Sequence, residues 1–132
     1  MEYVVLDTDV ASLSFRNRLT SPMSALLAGK LTCITFVTIG EMTKWTELRV
    51  WGPRNRQRLD LWLSGQVHLG YDIAVARTWG RLAAAAHRRG RTTPVNDTWI
   101  AACCLAEGLP LATLNVKDFA DFSQHHGLTL IG

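Results

Sequence analysis

Apolar residues along this chain fall into short β-branched runs separated by longer stretches with helical spacing. Tyr3-Val4-Val5-Leu6 is apolar throughout, which predicts a strand buried on both faces. Leu31 to Phe36 alternates threonine with apolar residues and predicts a second strand. Val67 to Leu69, Leu111 to Leu114 and Leu128 to Ile131 predict three more. Val10 to Arg18 reads as a helix with Thr8 or Asp9 near its cap, and Ser21-Pro22 opens a second helix that ends at Gly29. Further helices are predicted over Thr38 to Leu48 and over Pro53 to Leu63. Asp72 to Arg89 is the clearest helix, with Ile73, Ala76, Trp79, Ala83 and Ala86 at helical spacing and Gly90 as its stop. Thr92 to Val95 reads as a loop, Asp97 to Glu107 as a largely apolar helix stopped by Gly108, and Asp118 to His125 as a short helix. Strands alternating with helices imply an α/β fold, a mostly parallel sheet of about four to five strands with helices on both faces. At 132 residues, the chain has room for one domain with a single good core, spanning 1–132.

Four acids stand at the junctions of this pattern. Asp7 follows the first strand, Glu41 the second and Asp118 the run Leu109 to Thr113, while Asp97 opens the apolar helix. In a parallel sheet such junctions gather at the edge where the strands end, which is where ligands bind. Carboxylates gathered there repel one another, and a hard divalent cation with its preference for oxygen ligands would relieve that repulsion. Each acid also has a plain structural reading. Asp7 suits a helix N-cap, and Thr38-x-x-Glu41 has the spacing of a capping box. Asn96 or Asp97 could cap one helix and Asp118 another, with Phe119 packing beneath. Asp9 could cap its helix or orient Asp7 from behind.

Composition narrows the picture. An apolar fraction of 48% marks a folded protein, and no apolar run approaches the roughly 20 residues needed to cross a bilayer. Met1-Glu2-Tyr3-Val4 lacks the basic lead of a signal peptide, so the mature chain is expected to start here, in the cytoplasm and away from membranes. Cys33, Cys103 and Cys104 are odd in number with no zinc spacing, and read as reduced core residues. The net charge of +3 is a mild lean toward polyanions. It is concentrated in Arg49, Arg54, Arg56 and Arg58 and in His87, Arg88, Arg89 and Arg91. These are either solvated helix faces or a phosphate-binding surface around the acids.

The ordered set of motifs resembles the PIN-domain ribonucleases over nearly the whole chain. Val5-Leu6-Asp7-Thr8-Asp9-Val10 looks like their first motif and Thr35-x-x-Thr38-x-x-Glu41 their second. Asn96-Asp97-x-x-Ile100-Ala101 resembles the third and Thr113-x-Asn115-x-x-Asp118-Phe119 the fourth. The nearest resemblance is to the VapC toxins of bacterial toxin–antitoxin pairs. Two departures stand out. Many relatives carry Asn or Ser where Asp9 stands, and some place the fourth acid where Asn115 is, leaving Asn115 or Asp118 to complete the site.

The resemblance implies an endoribonuclease dependent on Mg²⁺, with Mn²⁺ as a substitute. Asp7 and Asp97 are then the direct metal ligands. Glu41 and Asp118 orient the attacking water, accept its proton or hold a second ion. Cleavage leaves a 5′-phosphate and a 3′-hydroxyl and needs no catalytic histidine pair, so His125-His126 reads as a surface pair rather than a zinc site. The implied substrate is structured RNA, tRNA or ribosomal RNA, cut in single-stranded loops. Trp45 and Trp51, near Arg49, could stack on bases or serve as core or interface residues. The segment Thr38 to Leu63 is expected to form a homodimer and to receive a cognate antitoxin. Two rival readings remain open. One is a haloacid-dehalogenase-like phosphohydrolase with Asp7 as nucleophile. The other is a non-catalytic RNA-binding module on the same fold.

Overall fold

The computed structural model describes residues 2–132. Its strands are β1 (Tyr3–Leu6), β2 (Leu31–Thr35), β3 (Val67–Leu69), β4 (Leu111–Ala112) and β5 (Leu130–Ile131). They pair only in parallel, in the order β3-β2-β1-β4-β5, with Val5 opposite both Cys33 and Leu111. The helices among the described residues are α1 (Thr8–Phe15), α2 (Ser21–Leu27), α3 (Phe36–Leu48), α4 (Pro53–Ser64), α5 (Ile73–Arg88), α6 (Val95–Glu107) and α7 (Val116–His126). The α/β fold expected from the apolar pattern is therefore present, with all five strands.

The alternation of side chains along the central strand divides the core in two. Val4 and Leu6 point to one face of the sheet, where they meet Val10, Met23, Met42 and Leu59 from α1 to α4. Val5 points to the other face, toward Val75, Leu82, Ile100, Phe119 and Phe122 from α5 to α7. Both faces are covered, which is why β1 is apolar at every described position. Cys33, Cys103 and Cys104 are fully buried free thiols, and burial raises the pKa of each, Cys103 to about 11. Among the described residues no helix is long and apolar enough to cross a membrane.

The sequence pattern misplaces several element ends, and the errors share a direction. The helices that carry the acids begin two residues earlier than their apolar periodicity suggests, at Thr8, Phe36, Val95 and Val116. Phe36, Val95 and Val116 are apolar and continue the preceding strand or loop as readily as they open a helix, so the local pattern does not fix where the first turn begins. Strands β4 and β5 are shorter than their apolar runs. Leu114 lies outside β4 and is 45% exposed, on the chain leaving the sheet.

Candidate active site

Asp7 is the residue on which β1 ends and α1 begins. Its backbone is extended, and its Oδ1 accepts the Thr8 N–H at 2.7 Å, so Asp7 itself caps α1 in place of Thr8 or Asp9. Its Oδ2 accepts the Thr113 hydroxyl at 2.8 Å, from the chain leaving β4. Asp7 is only 5% exposed. Burial raises its pKa, the Thr113 and Thr8 hydrogen bonds oppose the rise, and the charges of Asp9 and Glu41 add to it.

Glu41 is not half of a capping box. The cap of α3 is Thr35, whose hydroxyl accepts the Thr38 N–H at 3.3 Å, and this moves Glu41 a full turn into the helix. Its Oε1 instead accepts the Thr8 hydroxyl at 2.9 Å. Thr8 has one hydroxyl proton, committed to Glu41, so in its 2.9 Å contact with Thr38 the Thr38 hydroxyl donates. Two threonines thus connect the start of α1 to the glutamate of α3.

Asp97 is the third residue of α6, whose N-cap is Pro94, so neither Asn96 nor Asp97 caps that helix. A first-turn carboxylate there gains from the helix dipole. Even so, its pKa is pushed up to about 6, first by burial and then by the charges of Asp7, Asp118, Glu41 and Asp9. Asp118 is likewise the third residue of α7. It is exposed, and Asn115 takes the cap position without a side-chain capping bond. The Asn115 amide donates to Asp9 Oδ2 at 2.7 Å, and its backbone N–H donates to the Thr113 hydroxyl oxygen at 2.9 Å. The sequence therefore points to the four acids that gather here, and its motifs contain Thr8, Thr38 and Thr113. It gives these threonines no role in holding the carboxylates, yet Thr8 and Thr113 hold Asp7 and Glu41, and Thr38 bonds Thr8. The one signal for them is their place in the same motifs as the acids.

The five acids lack cationic partners. Among the described residues, ion pairs engage Glu2, Glu47 and Asp121, and none engages Asp7, Asp9, Glu41, Asp97 or Asp118. Among those same residues no three His, Cys, Asp or Glu side chains close into a compact metal cage. A donor set of hard oxygens with surplus negative charge and few direct ligands fits Mg²⁺, which takes one or two carboxylates and keeps several waters.

Two clefts flank the acids. One of about 440 Å³ is lined by Phe36, Glu41, Lys44, Trp45, Asn96 and Trp99 among others. The other, about 460 Å³, is lined by Asp9, Arg16, Trp45, Arg49, Leu114 and Asn115 among others. The basic clusters divide between structure and surface. Arg56 pairs with Glu47 at 2.9 Å and donates to the Trp51 carbonyl at 2.8 Å, and Arg89 pairs with Asp121. Arg49 lies over the Trp45 ring and Arg58 over Phe15, both beside clefts. His125 is 3.6 Å from Asp121 with its side chain 45% exposed, whereas His126 carries a buried, unpartnered Nε2, so the pair is only half a surface feature.

No family model matches the chain. It is 30% identical over 117 residues to the tRNA(fMet)-specific endonuclease VapC of Shigella flexneri, covering 87% of this chain and 88% of the relative. The fold is similar to that in the structure of VapBC2 from Rickettsia felis bound to a DNA fragment from their promoter. There the TM-score is 0.81 at 22% identity, over 98% of this chain and 97% of the other. VapBC-5 from Mycobacterium tuberculosis, a member of the VapBC family of toxin-antitoxin systems, aligns with a TM-score of 0.73 at 27% identity, over 99% and 98%.

Proposed function

The chain belongs to the VapC ribonuclease family, and from that premise we propose that it is a divalent-metal-dependent endoribonuclease toxin. The observation that carries this reading is the uncompensated carboxylate cluster at the sheet edge, with the Asp97 pKa raised by burial and by its acidic neighbours. A metal-free protein gains nothing from that repulsion, whereas a cation binding there removes it.

Asp7 and Asp97 are the residues that would hold Mg²⁺, or Mn²⁺ in its place. The bound ion would supply Lewis-acid polarisation of the scissile phosphate and a lowered pKa for water at the site. The chain's own residues do the rest. The Thr8 N–H and the Thr113 hydroxyl aim the two Asp7 oxygens. Glu41, oriented by Thr8, takes the proton of the water that attacks phosphorus. Asp118, exposed at the rim, orients that water or helps hold a second ion. The P–O3′ bond breaks in line with the attack, and the departing 3′ oxygen takes a proton from solvent, leaving a 5′-phosphate and a 3′-hydroxyl. No step uses the 2′-hydroxyl.

The proposed substrate is structured RNA, such as tRNA or ribosomal RNA, cut where it is single-stranded. The tRNA-specific relative supports the first of these. Arg16, Arg49 and Lys44 at the cleft walls suit backbone phosphates, which position RNA without specifying its sequence. We also assign the chain a cytoplasmic location, a homodimeric state and a cognate antitoxin as its inhibitor. Among the apolar residues of the Thr38 to Leu63 segment, Leu59 is buried and Trp45, Trp51 and Trp62 pack against the core. Leu48, Val50 and Leu61 are at least 67% exposed and would supply the contact surface.

Purified protein incubated with tRNA and ribosomal RNA in Mg²⁺, Mn²⁺ or EDTA tests the reading, with sequencing of the new 5′ ends. Cleavage that needs the metal and is lost in Asp97→Asn supports it. Undiminished cleavage in EDTA, or full activity in that variant, overturns it. The phosphohydrolase reading falls with the family assignment, and RNA binding without cleavage in either metal would restore the non-catalytic one.

A further inference from the structure

We propose that Trp45 is a wedge that separates the two nucleotides flanking the cut, which restricts the chain to RNA that is unpaired there. The inference rests on the endoribonuclease reading and concerns the same site. Glu41, Trp45 and Arg49 recur at a spacing of four from α3 into its C-cap, so they form one stripe on its surface, with the buried Thr38 beneath its inner end. The stripe runs outward from the carboxylates. Trp45 lines both clefts, the one containing Glu41 and Asn96 and the one containing Asp9 and Asn115. The indole is therefore the wall between them, one helical turn from Glu41.

The wall is firmly seated. The indole is half-buried and packed against the core on the α1 to α4 side of the sheet, and the Arg49 guanidinium lies 5.9 Å from its centroid. In this reading a strand whose scissile phosphate sits at the acids sends one neighbouring nucleotide into the cleft beside Glu41 and the other into the cleft beside Asp9. Each cleft has a volume in the range of roughly 300–1,000 Å³ that suits small ligands. Two bases stacked on each other cannot straddle a fixed indole, so the stack opens at the cut. Opening is least costly where the base is already unpaired, and stacking on the solvent-facing part of the indole offsets part of it. The walls differ in kind as well. Phe36 and Trp99, edge to face at 5.8 Å, line the first cleft and suit a base. Arg16 and Arg49 line the second and suit phosphate.

The test uses Asp97→Asn as a non-cleaving background. A fluorescein-labelled single-stranded RNA of mixed sequence is titrated against the same strand annealed to its complement. The background protein should bind the single strand about tenfold or more tightly than the duplex. Adding Trp45→Leu should remove that preference, and Trp45→Phe should restore most of it. A Trp45→Leu protein that keeps the full preference and changes only its melting temperature overturns the wedge and leaves Trp45 a packing residue. If Trp45→Leu does not fold, 4-thiouridine placed beside the mapped cut should crosslink to the peptide carrying Trp45 in the unsubstituted background. Crosslinking confined to other peptides overturns the proposal. Wild-type protein that cleaves no RNA in Mg²⁺ or Mn²⁺ overturns this inference together with the endoribonuclease reading. Wild-type cleavage matched by Trp45→Leu on loop and duplex alike overturns the wedge alone.

Discussion

Thr113 donates its hydroxyl to Asp7 Oδ2 at 2.8 Å, joining two residues 106 positions apart in the chain. The bond exists because β4 lies beside β1 and ends level with it, with Leu6 opposite Ala112. It makes Thr113 the residue that sets the direction of the Asp7 carboxylate, while its oxygen also accepts the Asn115 N–H. Thr113→Val keeps the shape and removes both roles. Cleavage should fall about 10- to 100-fold, with more Mg²⁺ needed for half-maximal rate. Stability should fall by about 1–2 kcal/mol, since a buried carboxylate and an amide each lose a partner. Thr113→Ser should retain most of both. Mg²⁺ titration of the cleavage rate checks the first point and thermal melting the second.

Asp7→Asn and Asp97→Asn should both abolish cleavage, yet move stability in opposite directions when no metal is present. Asp97 is held at a raised pKa and takes no part in capping, so neutralising it relieves repulsion and should raise the melting temperature. Asp7 accepts bonds on both oxygens, and an amide can accept on only one, so Asp7→Asn should melt at or below wild type. Paired melts in EDTA decide this.

The stability of the metal-free protein should also depend on pH with a defined sign. The folded pKa of Asp97 is about 6, above its ordinary value of 3.8. Its contribution is therefore fully present below about pH 4 and is lost as pH rises through about 6. Asp121 works the other way. The hydrogen bond from Arg89 lowers its pKa, so its contribution is present above the ordinary value and is lost as pH falls through the folded one. Comparing wild type with Asp97→Asn from about pH 4 to about pH 8, which brackets the two Asp97 values, isolates the first effect. The wild-type deficit should grow as pH rises through about 6 and should vanish with saturating Mg²⁺. A difference that does not change with pH would contradict the assignment.

Val50 carries a strain unrelated to catalysis. It sits between α3 and α4 with φ of 50°, in the left-handed region, and is 80% exposed. A β-branched residue there costs about 1–2 kcal/mol, and glycine removes that cost at the expense of about 0.4–1 kcal/mol in unfolded-chain entropy. Val50→Gly should therefore stabilise the protein by up to about 1.5 kcal/mol. Thermal or urea unfolding measures it.

The division between sequence and structure is clearest at the acids. The sequence alone determined the alternation of strands and helices, because apolar runs and helical spacing are local signals that a buried sheet imposes on each segment separately. It also determined where Asp7, Glu41, Asp97 and Asp118 stand relative to those elements. The competing role of each acid as a helix cap was undecidable there, since capping depends on where the first turn begins, and Phe36, Val95 and Val116 extend the preceding segment as readily as they open a helix. Only the fold decided it. Asp7 caps α1 and also stands among the clustered acids, Thr35 takes the cap of α3 that frees Glu41 for Thr8, and Pro94 and Asn115 take the cap positions in place of Asp97 and Asp118. The threonine bonds and the wall formed by Trp45 likewise join segments distant in sequence or separate clefts in space. Such pairings are set by strand order and register, which no local pattern encodes.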